Sequence, residues 1–160
     1  MKKLFLIIVS LCLIASIFSV VKLFTPKVWE RNEVKLKSFL IEEKFGGIAF
    51  LSNLRMFEWD EMYVFAPNTE YEEIYYTIGY KWGKIKNNNS EDDMQVIFLK
   101  NGKVVCYCNG DAISNGYLIT ANFEGIQENH KVFHYKDYWR FTIFKEEGYV
   151  SFQEHYKFTQ

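Results

Sequence analysis

The sequence predicts an α+β fold: one mostly antiparallel sheet of five to seven strands, one or two helices packed on a face, and a membrane-targeting helix in front. Three observations predict it. Met62 to Phe65 (Met-Tyr-Val-Phe) is a strand-forming run that leads into an amphipathic helix over 69–78. Asn101-Gly102, set between two apolar runs, is a strong hairpin signal. Strands crowd the chain after the helix instead of alternating with helices, which argues against βαβ units.

The chain begins with a targeting signal. Met1-Lys2-Lys3 is positive, and Leu4 to Val21 is 18 residues without a charge, followed by Lys22. That length falls between a signal-peptide core of about 7–15 residues and a membrane span of about 20. Residues 1–21 therefore read either as a cleaved signal peptide or as an uncleaved anchor through residues 4–21. Cleavage after Ser16 or Ser19 would place Ile14 or Ile17 where a small residue is preferred. Both readings put residues 22–160 outside the cytoplasm, in the periplasm or at the cell surface, with Lys2 and Lys3 inside. Cys12 is a poor lipidation site, because Leu11 precedes it and the apolar run continues past it.

Residues 22–45 form a helical stalk or a helix that docks on the domain, with Trp29, Leu36, Phe39, Leu40 and Phe45 loosely on one side of Val28 to Phe45. Gly46-Gly47 ends it, and residues 46–160 form the α+β domain, opening with a short strand at Ile48 to Leu51. After the Met62–Phe65 strand, Pro67 stops the ladder. Thr69 as N-cap with Glu72 three residues on spells a capping box, in which loss of the threonine side chain costs ~1 kcal/mol. Tyr71, Ile74, Tyr75 and Ile78 share one helical face, and Gly79 fits the left-handed C-terminal position. Lys84 to Ser90, with three consecutive asparagines, is a loop. The hairpin pairs Met94–Leu99 with Lys103–Cys108, and Tyr117–Ala121 is a short strand. Lys131–Lys136, Trp139–Lys145 and Tyr149–Phe158 suggest a closing meander.

Composition limits the function classes. The chain is 49% hydrophobic and 24% charged with two prolines, which excludes extended disorder. Its net charge is −1, and −3 for residues 22–160, a balance that argues against nucleic acid or an anionic membrane surface as main partner. Aromatic residues make up 19%, more than a domain of this size readily hides.

The stretch from Trp59 to Val105 resembles small bacterial secreted or envelope proteins of unknown function, many of them lipoproteins. The shared residues are Trp59-Asp60, Tyr63 and Phe65, Pro67, Thr69, Glu73-Ile74 and Gly79, continuing through Lys81-Trp82, Asp92-Asp93 and the hairpin. The resemblance implies a secreted or surface-anchored α+β domain. It implies no activity and no catalytic residue, and this chain departs from it in lacking a convincing lipobox.

The chemical motifs are sparse. Cys106-Tyr107-Cys108 has too short a spacer for a usual zinc pair, and no second cysteine pair follows. On an extended strand the two residues lie ~6.5 Å apart, so a disulfide requires the strand to break near Cys108. Two free thiols are the simpler state. His130 and His134 share a strand face but stand ~13 Å apart, too far for one metal ion. No Gly-x-Ser-x-Gly elbow, P-loop or Gly-x-Gly-x-x-Gly is present. Asp60-Glu61 and Asp92-Asp93 are adjacent on strands and point to opposite faces.

The expectation is thus a non-catalytic exported protein, with no metal, cofactor or nucleic acid, that binds another protein. An immunity or inhibitor protein acting by steric occlusion fits best. An envelope assembly or lipid-binding factor is the alternative, and an enzyme whose residues converge only in space is the third. Trp59, Asp60, Trp82, Tyr138 and Trp139 are the candidate partner-binding residues, since tryptophan and tyrosine bury much area at low entropic cost. The competing role for Trp59-Asp60 is structural, with the ring under the sheet and the carboxylate serving a turn.

Overall fold

A computed structural model describes residues 26–42, 47–87, 90, 92–123 and 129–155, together with Ser10, Cys12 and Ser16. The expected targeting segment otherwise lies outside the described residues, as do Phe45 and Phe158. Among the described residues no helix is long and apolar enough to cross a membrane.

The hairpin is the spine of the fold. Strand β3 (Asp93–Lys100) pairs antiparallel with β4 (Lys103–Asp111). Asn101 (φ 50°) and Gly102 (φ 68°) both take left-handed conformations, which a two-residue primed turn requires. Strand β2 (Glu61–Phe65) pairs with the other side of β3, and β6 (His130–His134) pairs with β2, giving a four-stranded sheet in the order β4-β3-β2-β6. The register shifts between Phe98 and Leu99, and there the hydroxyl of Tyr80 accepts the Val104 amide at 2.8 Å.

A second four-stranded sheet packs on the first, in the order β1-β7-β8-β5. Its strands are β1 (Gly47–Phe50), β5 (Tyr117–Thr120), β7 (Arg140–Lys145) and β8 (Val150–Glu154). Strand β5 runs parallel to β8, while the remaining pairings are antiparallel. Phe98, Cys106, Cys108 and Phe133 of the first sheet meet Tyr117, Ile119, Phe141 and Phe152 of the second in one core. Phe141 and Phe152 stack with ring centroids 4.5 Å apart, and both are fully buried. Lys131 of the first sheet forms an ion pair with Glu154 of the second, and Glu154 also accepts the Asn122 amide at 3.0 Å.

Helix α1 (Val28–Glu42) docks on the domain. It starts at Lys27, whose amide donates to Glu30 at 2.8 Å, so the back-bond of a capping box forms at this helix. Leu36 and Leu40 enter the core between the sheets. Asn32 donates to the Val105 carbonyl at 2.8 Å, which satisfies a group on the edge strand β4 and blocks further strand pairing there.

Helix α2 (Tyr71–Ile78) covers the opposite face of the first sheet, where Ile74 and Ile78 pack on Phe65, Ile97, Leu99 and Tyr107. Gly79 ends it at φ 81° as expected. The capping box at Thr69 is corrected. The N-cap is Glu70, and it makes no side-chain capping bond. The physical reason is the preceding turn: Asn68 sits at φ 62° after Pro67, and the Thr69 amide closes the turn on Ala66. The Thr69 hydroxyl then donates to the carbonyls of Ala66 (2.7 Å) and Asn129 (3.3 Å), so it ties the turn to β6 instead of opening the helix.

Two further expectations are corrected. The strands form two sheets, not one of five to seven strands. The last three strands are not a meander, because β6 pairs with β2 and only β7 and β8 form a hairpin. The segment after His134 crosses from one sheet to the other, and Trp139 packs edge-on against Phe133 as it does so. A short helix α3 (Ala112–Asn115), capped by the Asp111 carboxylate on the Ser114 amide, connects β4 to β5.

Phe152→Ala is expected to cost ~3–5 kcal/mol of stability, since it empties the stack at the centre of the inter-sheet core. Urea unfolding checks this. A loss below ~1 kcal/mol would mean that Phe152 does not help to pack the second sheet on the first.

Candidate functional site

The expected binding residues do not form one patch. Trp59 is 2% exposed. Its indole N–H donates to the Leu54 carbonyl at 2.9 Å, and its ring stands edge-on to Phe98 and Tyr135. Asp60 points the other way and clamps the hairpin turn, accepting from the Asn101 amide and from Lys100 Nζ, both at 2.8 Å. Those two bonds hold the Asp60 carboxyl below the usual carboxylate range, the Asn101 amide contributing most. Trp82 is half-buried between Trp29 and Tyr107, with ring centroids 5.4 and 5.3 Å away, on the helix side of the first sheet. Trp139 is half-buried against Phe133, with Lys131 over its ring. Only Tyr138 stands in water, at 89% exposure.

Cys106 and Cys108 are both fully buried free thiols on β4. The strand does not break, yet the sulfurs lie 3.9 Å apart, because same-face neighbours can turn their rotamers toward each other. Burial, then the Cys108 thiol, pushes the Cys106 pKa well up, the opposite of what a reactive thiolate needs. Tyr117, whose buried hydroxyl makes no well-formed hydrogen bond among the described residues, is shifted up by burial and then by Cys108. This cluster is chemically quiet core. No group of three histidine, cysteine or acidic side chains is placed to hold a metal ion among the described residues. His130 lies opposite Phe65 and His134 opposite Glu61, at the two ends of one strand pairing.

Tyr138 belongs to a surface that sequence reasoning missed. One face of the second sheet packs on the core; on the other, Ile48, Phe50 and Phe144 are exposed, while Ser151, opposite Phe144 on β8, is buried. Strand alternation turns Phe141 and Ile143 inward and leaves Arg140, Thr142 and Phe144 outward. Trp139 packs on Phe133, while Tyr138, just before the strand, is exposed. On β1, Ile48 stands opposite Thr142 and Phe50 opposite Arg140. The Arg140 guanidinium lies 5.6 Å above the Phe50 ring. Ile48, Phe50, Phe144 and Tyr138 are all exposed, and β1 is a free sheet edge. The signal was alternation, but both sets of residues on β7 contain phenylalanine, so polarity did not say which faced water.

This arrangement has the chemistry of a binding surface. Tyrosine and arginine are the residue types that most often dominate protein interfaces. An arginine held over an aromatic ring is pre-positioned, so less side-chain freedom is lost when a partner meets it.

The site geometry yields two expected outcomes. Asp60 has a folded pKa below its ordinary value of 3.8, so its contribution is fully present above about pH 3.8 and is lost as pH falls through the lower folded value. Asp60→Asn should therefore flatten the acid limb of a stability–pH curve, and an unchanged limb would show that the clamp contributes nothing. Iodoacetamide should modify Cys106 and Cys108 only in denaturant, since both thiols are buried; labelling of either in native protein, located by peptide mass spectrometry, would contradict that burial. No protein-family profile, no curated protein and no solved structure matches the chain.

Proposed function

We propose that this chain is a non-catalytic, exported protein-binding module of the cell envelope that acts by covering its partner, in the manner of an immunity or inhibitor protein. The observation that carries this reading is the uncovered outer face of the second sheet. Ile48 and Phe50 on β1 and Phe144 on β7 are exposed apolar side chains, Arg140 lies over Phe50, and exposed Tyr138 precedes Arg140 by two residues. Contiguous exposed apolar surface rimmed by polar groups marks interaction sites on soluble domains. The export reading is supported by the positive Lys2-Lys3 and the uncharged run Leu4–Val21, the pattern of a targeting segment under either fate. The resemblance of the Trp59-to-Val105 stretch to bacterial envelope proteins points the same way.

Tyr138→Ala combined with Phe50→Ala tests the binding face. Tagged full-length protein, cross-linked in the envelope and purified, should retain a partner that the double variant loses, with affinity down by at least ~2 kcal/mol and the melting temperature unchanged. Full retention by the double variant would exclude this face. Alkaline phosphatase fused to the C-terminus should be active in bacteria, and a well-expressed inactive fusion would overturn the export reading.

A further inference from the structure

The loop that joins α2 to β3 alternates lysine with apolar residues. In Lys81-Trp82-Gly83-Lys84-Ile85-Lys86 the three lysines are exposed, while Trp82 and Ile85 are half-buried on the α2 side of the first sheet. The first turn of α1 lies against this loop. Trp29 meets Trp82 edge-on, with ring centroids 5.4 Å apart, and Val28 beside it is 49% exposed. The loop is pinned in place: the Lys86 amide donates to the Tyr107 hydroxyl at 3.0 Å, and the Gln95 side chain donates to the Lys86 carbonyl at 3.2 Å. Two indoles and a valine thus stand at one surface with lysines around them.

The charge here differs from that of the whole chain. Neither Lys81 nor Lys84 is paired with a carboxylate among the described residues. Two carboxylates approach from α1, and both are engaged: Glu30 accepts the Lys27 amide, and half-buried Glu33 lies near Lys86 and Lys37. Glu72 and Glu73 of α2 stand in its first turn, at the end away from the loop. What can cover this surface is set by the chain in front of it. Residues 22–27 separate the uncharged run 4–21 from α1, a reach of at most about 25 Å. With residues 4–21 held as an uncleaved anchor, the first turn of α1 therefore stays next to the bilayer. Indole rings favour the headgroup boundary, and lysines are drawn to anionic headgroups. Ile48, Phe50 and Phe144 lie beyond both sheets from this surface, so a bilayer here leaves them open to a protein partner.

We propose that the surface made by the first turn of α1 and the 81–86 loop docks on the bilayer, with Trp29 and Trp82 at the level of the lipid headgroups and the lysines on anionic phospholipid. This rests on the uncleaved reading of residues 4–21 and requires no protein partner on the second sheet.

Lipids brominated near the head of the acyl chain quench tryptophan on contact, and the anchor gives no signal, because all four tryptophans lie after it. Full-length protein, its intact mass checked, is reconstituted into phosphatidylcholine vesicles with or without phosphatidylglycerol. Its emission should be quenched, more strongly with phosphatidylglycerol. Trp29→Phe with Trp82→Phe should remove most of the quenching, since Trp59 is buried and Trp139 packs on Phe133. Lys81→Gln with Lys84→Gln and Lys86→Gln should remove the gain that phosphatidylglycerol gives. Phe50→Ala should change neither. The proposal is overturned by absent quenching, by quenching that survives the double phenylalanine variant, or by a phosphatidylglycerol gain that survives the triple glutamine variant. Loss of quenching in Phe50→Ala would also overturn it, by placing the opposite face on the bilayer. Flotation separates the premises. Protein that fails to float with the vesicles, or that has lost residues 1–21, refutes the anchor and the proposal together, whereas floating protein without quenching refutes the bilayer contact alone. Should the double phenylalanine variant fail to fold, the triple glutamine variant, at exposed positions, decides the outcome.

Discussion

Neither face of β3 is left to water. Six successive residues, Met94 to Leu99, are buried, so the strand needs a covering layer on each side. Met94, Val96 and Phe98 face the second sheet, while Ile97 and Leu99 face α2. The rest of the architecture follows from that demand. The first sheet becomes the middle layer, α2 the layer on one side and the second sheet the layer on the other. Trp59 and Asp60 show the same division within two residues, since one ring fills the inter-sheet core while the neighbouring carboxylate locks the hairpin that carries β3. Helix α1 closes the flank, with Leu36 and Leu40 between the sheets and Asn32 on the edge of β4.

The middle layer is covered twice and the second sheet only once, and this asymmetry leaves apolar side chains exposed on the second sheet. The outer face of the second sheet is left as strand alternation made it, with Ile48, Phe50, Tyr138 and Phe144 in water. Their exposure is the remainder of a three-layer packing in which the fourth face has no partner within the described chain.

Several elements were legible because their signals are local. The primed turn at Asn101-Gly102, the strand before Pro67, the helix ending at Gly79 and the amphipathic helix after Pro26 each depend on residues within a few positions. The Thr69 capping box failed at the same scale for a local reason: the hydroxyl had a competing use in the Pro67-Asn68 turn, reaching Asn129 across 60 positions of sequence. A motif names what a side chain can do, and the competing acceptor was visible only after β6 had come alongside β2.

The sequence by itself determined the α+β class, the main hairpin, the two longer helices and the aromatic surplus, because periodicity and turn chemistry act over short distances. Only the tertiary structure decided how the strands divide between two sheets and which of the aromatics stay in water. The physical reason is that a strand states its alternation but not its neighbour. Tyr138 and Trp139 are adjacent aromatic residues with identical local prospects, and the crossing of the chain from β6 to β7 put the tryptophan on Phe133 and left the tyrosine in solvent.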